Sequence, residues 1–141
     1  MSRLTIDDLE ILTPDELGRL LINAVLQDPP DFQFIQDLIA VGCPIDAKTK
    51  FGHIAFQYAV GKKHFKLAEY LLSNGAEVNV RNINGGTVLH LAAGLGMGNP
   101  ETVEFLLSNG ADIHVRDNKG ETAWDLATPY IRKSYPRLEP K

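Results

Sequence analysis

One cysteine, two methionines and one tryptophan are all that this 141-residue chain holds of those three types. A lone cysteine, Cys43, closes no internal disulfide, which excludes a disulfide-stapled scaffold and fits a reducing compartment. Long apolar runs are also missing: none approaches the roughly 20 residues that span a bilayer, so no membrane partner is expected. The opening stretch MSRLTIDDLEIL has neither an uninterrupted apolar segment nor a small-residue cleavage site. No signal peptide is therefore read, and a cytoplasmic location is expected. An excess of positive charge is absent too. The formal net charge is −4, basic residues are sparse and aromatics do not alternate with them, all of which argues against nucleic acid. No His/Cys/Asp set has metal-ligand spacing, and the carboxylates fall at helix starts and turns. No metal, cofactor or catalytic residue is assigned, and the chain is not read as an enzyme.

What is present is repetition. LLSNGA occurs at Leu71–Ala76 and again at Leu106–Ala111, followed by EVNVRN and DIHVRD. A period of this length means stacked supersecondary units. Leu17, Leu20, Leu21, Ala24 and Val25 share a helical face after Thr13-Pro14-Asp15-Glu16, which supplies an N-cap hydroxyl, a first-turn proline and an acid at the third position. Ile35, Leu38 and Ile39 mark the next helix. Ala68, Leu71 and Leu72 repeat the spacing, as do Val103, Leu106 and Leu107, and both runs stop at Asn-Gly. Between helix pairs, Ile45–Ala47, Val78–Val80 and Ile113–Val115 read as short extended pieces leading to polar, glycine-containing turns, like hairpin fingers. The small residues Ala59, Ala92, Ala93 and Ala127 allow first helices to approach closely. The last unit meets Pro129, so no full second helix is expected and residues 130–141 are read as a cap with a frayed end.

These residues resemble the ankyrin repeat family. Thr87-Val88-Leu89-His90-Leu91-Ala92-Ala93 is similar to its TPLHxAA motif, and Leu106-Leu107-Ser108-Asn109-Gly110-Ala111-Asp112-Ile113-His114 to its LLxxGADVN. The resemblance implies an all-α repeat solenoid of helix-turn-helix units with short hairpin fingers. We read a single domain over 1–141: a divergent N-terminal capping unit (1–49), a repeat (50–82), a repeat with a two-residue insertion (83–117) and a truncated C-terminal cap (118–141). His90 stands at the motif's structural position. Ile54 replaces the motif's threonine, which removes a hydroxyl cap from that helix. His53 and His64 are expected to be exposed, and Cys43 to be buried.

The family's mode of action implies protein–protein recognition through fingers and inner helices, by a chain monomeric on its own. Lys48, Arg81 and Arg116 occupy one register position, with Lys50, Lys62 and Lys119 in the same frame and Phe51, His53 and Ile83 as less polar neighbours. Leu95 and Met97 sit in the insertion, whose Gly94-x-Gly96-x-Gly98 has the wrong context for a phosphate loop. A cationic row of this kind suits an acidic segment of a partner protein. The alternative is a structural or assembly subunit that docks through an end of the stack or its outer helices. Residues 1–47 carry a net charge of −7 and the remainder +3, which a solvated acidic end cap explains.

Overall fold

The computed structural model describes residues 4–94 and 99–141, and among these the chain is helical without a strand. It divides into two compact units, Met1–Ala76 and Glu77–Lys141. The first contains α1 (Ile6–Glu10), α2 (Pro14–Leu26), α3 (Phe32–Ala40), α4 (Ala55–Gly61) and α5 (Phe65–Ser73). The second contains α6 (Val88–Ala93), α7 (Pro100–Ser108), α8 (Ala123–Leu126), α9 (Pro129–Ser134) and a 3₁₀ turn, Pro136–Leu138.

Helix starts follow the local chemistry. The Thr5 N–H donates to Asp8 at 2.8 Å and the Asp8 N–H to the Thr5 hydroxyl at 3.3 Å, closing a capping box. Thr13 with Glu16 and Thr122 with Asp125 repeat the same pair of bonds. Helix α4 lacks the hydroxyl, as Ile54 predicts, but Gln57 keeps half the box by accepting the Ile54 N–H at 2.7 Å. The Gln57 amide nitrogen is buried without a partner.

In the first unit, α2 packs on α3 and α4, α4 on α5, and α1 on α3. Leu9, Leu21, Val25, Ile35, Leu38, Phe56 and Leu71 are fully buried there. In the second, α6 packs on α7 and α8 around Leu89, Ala92, Ala93, Val103 and Leu106. Ala59, Ala92 and Ala93 are fully buried, and Ala127 is buried as well. The thiol of Cys43 is buried, and desolvation pushes its pKa up to about 11.

Two expectations are corrected. Residues 45–46, 78–79 and 113–114 form turns rather than extended pieces, because the chain reverses within each; the Ala47 N–H closes on the Pro44 carbonyl at 3.2 Å. The tail is a docked cap as far as Leu138, with a helical turn after Pro129. Pro129 occupies the first turn of α9, where its missing N–H has no intrahelical partner to lose, and Thr128 caps it. Ile131 and Leu138 are fully buried, the Tyr135 hydroxyl donates to the Pro100 carbonyl at 2.9 Å, and Arg137 pairs with Glu104 at 2.6 Å.

The capping boxes carry a pH dependence. The backbone N–H and then the hydroxyl of the cap threonine hold Asp8, Glu16 and Asp125 below the usual carboxyl range. A depressed folded-state pKa contributes stability that is present above the unfolded value and lost as pH falls through the folded one. Thermal melts by circular dichroism should therefore be level near neutrality and drop below about pH 4. Asp125→Asn should melt lower than the native chain at pH 7 and close to it at pH 2.5.

Candidate functional site

Each finger is a turn held by one side-chain oxygen that accepts two backbone N–H groups. Thr49 takes those of Phe51 and His53 at 3.3 Å. Asn82 takes those of Asn84 and Gly86 at 2.9 and 3.2 Å, and Asp117 those of Lys119 and Glu121 at 2.9 Å. The Glu121 N–H is the largest of the influences that lower the Asp117 pKa. The three residues share one register position, and each also donates its own N–H four residues ahead, to His53, Gly86 and Glu121. Hydroxyl, carboxamide and carboxylate serve equally because each offers an acceptor oxygen at the same reach.

In the second unit the fingers are tied edge to edge. Asn118 donates its N–H to the Asn84 carbonyl at 2.9 Å and its amide to the Ile83 carbonyl at 3.1 Å. Arg81 donates to the Gly85 carbonyl at 2.8 Å and to the Arg116 carbonyl, and Arg116 donates to Gly120 at 2.8 Å. Both guanidinium groups thus brace the fingers. His90 accepts the Thr87 N–H on Nδ1 at 3.1 Å, which places the ring proton on Nε2, 3.0 Å from the Glu121 carbonyl. Asn79 closes the base of the unit, donating to Gly110 at 3.2 Å and accepting the Asp112 N–H at 2.8 Å.

Two grooves result, one in each unit. In the first unit a groove of about 720 Å³ runs between α2 and the first finger, lined by Asp15, Arg19, Ile22, Lys48 and Lys50 among others. A Cβ on Gly18 would fall 2.6 Å from that of Ala47, so glycine is what lets the finger base lie on α2. In the second unit a groove of about 490 Å³ has Leu91 and Leu126 beside Asn84, Lys119 and Glu121.

The expected site residues separate accordingly. Lys48 and Lys50 line the first groove, and Lys119 lines the second. Phe51, half exposed, carries the Lys50 ammonium 5.0 Å above its ring, and Ile83 is 60% exposed. His53, expected to be exposed, is half-buried because its ring lies 5.7 Å from that of Tyr58. His64 is half-buried as well, with Nε2 shielded and unpartnered. Lys62 lines neither groove; it donates to the Leu26 carbonyl at 3.0 Å. Leu95 and Met97 lie outside the described residues. Arg19 and Leu91 escaped the sequence reading. The available signal was an arginine one position off the apolar face of α2, and a leucine off the buried face of α6 that is nonetheless 40% exposed. Among the described residues no group of His, Cys, Asp and Glu could hold a metal ion, and no helix is long and apolar enough to cross a membrane.

The family model described as ankyrin repeats (three copies) matches residues 21–117. A protein of Fowlpox virus (strain NVSL), named as an ankyrin repeat protein, is 37% identical over 89 residues, covering 62% of this chain and 16% of that protein. Another so named, from Acanthamoeba polyphaga mimivirus, is 32% identical over 79 residues, 55% of this chain and 11% of its own. The chain therefore spans a small fraction of the length of these relatives.

Finger packing makes a testable distinction between two glycines. Gly75 and Gly85 both have positive φ, +94° and +77°. A Cβ at Gly75 would meet nothing within 4 Å, whereas one at Gly85 would stand 2.4 Å from the Asn118 carboxamide oxygen. Gly75→Ala should lower stability by about 1 kcal/mol through the backbone alone. Gly85→Ala should lose roughly 1–3 kcal/mol more, read from urea unfolding midpoints.

Proposed function

Because this chain belongs to the ankyrin repeat family, whose repeats are generally protein–protein interaction modules, we propose that it binds a partner protein through its finger and inner-helix surface and draws in an acidic segment of that partner. One observation carries this reading. The first-unit groove gathers Arg19, Lys48 and Lys50 against one lining carboxylate, Asp15. Among the described residues none of the three cations is joined to a carboxylate by an ion pair, although Arg19 lies close enough to Glu16 to help lower its pKa. Unpaired cations focused in a groove raise the encounter rate with an acidic segment, and apolar neighbours such as Ile22 and Phe51 prolong the complex. The groove of the second unit sets Leu91 and Leu126 beside Lys119, Asp117 and Glu121 and so carries no excess of positive charge. The family is typically non-enzymatic, and we assign no catalytic residue.

A second reading has its own support. Leu4, Ile6 and Ile11 are 42%, 47% and 83% exposed about α1, so a structural subunit could dock through that end. Apolar side chains displayed beside Asp7, Asp8 and Glu10 are an interface in waiting.

Charge reversal separates the two. Arg81 and Arg116 must be left intact, since they brace the fingers, and the informative variant is Arg19→Glu/Lys48→Glu/Lys50→Glu. Partner proteins retained from a native lysate should fall at least tenfold with this variant and hardly at all with Ile6→Ser/Ile11→Ser. An unchanged retained set for the triple variant defeats the acidic-segment reading, and loss with the serine variant favours end docking. Both variants should keep the native circular dichroism spectrum.

A further inference from the structure

The turn between α4 and α5 and the first turn of α5 together carry four basic side chains in five residues, Lys62, Lys63, His64 and Lys66. It borders a recess of about 410 Å³ in the first unit, whose apolar lining includes Pro30, Phe32 and Leu67, with Lys63, His64 and Lys66 supplying the polar part. This recess shares no residue with the finger groove of that unit. Phe32 is held in place by the Tyr70 ring, 5.1 Å away.

Three observations bear on what the recess takes. First, no carboxylate lines it: Asp31, though next to Pro30 and Phe32 in sequence, turns an oxygen to the Phe34 N–H to cap α3. Among the described residues neither Lys63 nor Lys66 is joined to a carboxylate by an ion pair. Second, Nε2 of His64 is shielded from solvent with no hydrogen-bond partner. A buried polar atom without a partner is unfavourable; closed to water as it stands, this nitrogen meets an acceptor in the recess once the His64 ring turns toward it. Third, Lys63 has φ +60°, the one left-handed residue among the described residues that is not glycine. A side chain in that region destabilises the backbone, and Gly98 stands at the aligned position of the next repeat in sequence. Lys63 therefore stands in a conformation that glycine adopts without that strain, and its side chain is presented at the recess.

We propose that this recess is a second docking site, distinct from the fingers, for an acidic peptide segment that seats an apolar side chain between Phe32 and Leu67 while its carboxylates meet Lys63 and Lys66. The apolar walls give the anchor its grip, and the cations select the sequence around it.

The test uses the full chain and a fluorescein-labelled peptide, Glu-Glu-Leu-Phe-Glu-Glu, against the same peptide with glutamine for each glutamate. Amide shifts of the ¹⁵N-labelled chain should move at residues 63–67 and at Phe32, and the glutamine peptide should bind at least tenfold more weakly. Lys63→Glu/Lys66→Glu should abolish these shifts, whereas the variant at Arg19, Lys48 and Lys50 should leave them in place. Lys63→Gly supplies the sharpest contrast: Tm should rise by about 2–4 °C while peptide affinity falls several-fold. A lysine retained for the fold would instead give a lower Tm and unchanged binding. Shifts confined to the finger groove, equal binding of the glutamine peptide, or binding only to phosphatidylserine vesicles would each overturn the proposal.

Discussion

Most helices of this molecule have nine residues or fewer, and helices so short are marginal in water on their own. They persist because most starts are capped by a side chain from the same turn, α5 after His64 being an exception, and because their inner apolar faces are covered by neighbours. The buried alanines follow from this: with Ala59, Ala92 and Ala93 wholly inside, backbones approach closely and short helices still bury enough surface. Where a cap is incomplete, as at Ile54, the helix relies on Gln57 and on burial of its apolar residues instead.

The same shortage of regular hydrogen bonding explains the fingers. A turn of four residues has few ladder bonds to offer, so side-chain oxygens and guanidinium groups complete it. Arginine suits this work because its planar fork reaches two carbonyls at once, as Arg81 does with Gly85 and Arg116. Lysine, a single flexible charge, is left at the groove edges as Lys48, Lys50 and Lys119. The register that aligns Lys48, Arg81 and Arg116 in sequence therefore conceals two different uses of positive charge, bracing and display.

Much of the fold was legible in advance. The Thr13 box, the helix stops at Asn-Gly and the in-phase leucines are all short-range signals, and α2 begins, and α5 and α7 end, where those signals stand. The site was legible in part. Phe51 and Ile83 at finger tips follow from the repeat register, but the second role of Arg81 does not, because nothing in Arg81-Asn82-Ile83 distinguishes a guanidinium aimed at solvent from one aimed at Gly85. His53 and His64 were misread for a similar reason: a polar residue in a turn says nothing of the ring, such as Tyr58, that comes to lie beside it.

What the sequence determined by itself was the succession of capped helices and turns, since caps, glycine stops and apolar spacing act within four residues. What only the tertiary structure decided was which polar groups are engaged. The partners that settle it, the Glu121 carbonyl for His90, the Arg116 carbonyl for Arg81 and the Leu26 carbonyl for Lys62, lie 31, 35 and 36 residues away in the chain. Docking of the tail belongs with them: Ile131 and Leu138 are buried by packing that no local pattern after Pro129 encodes. Contacts at that separation exist only once the helices have packed.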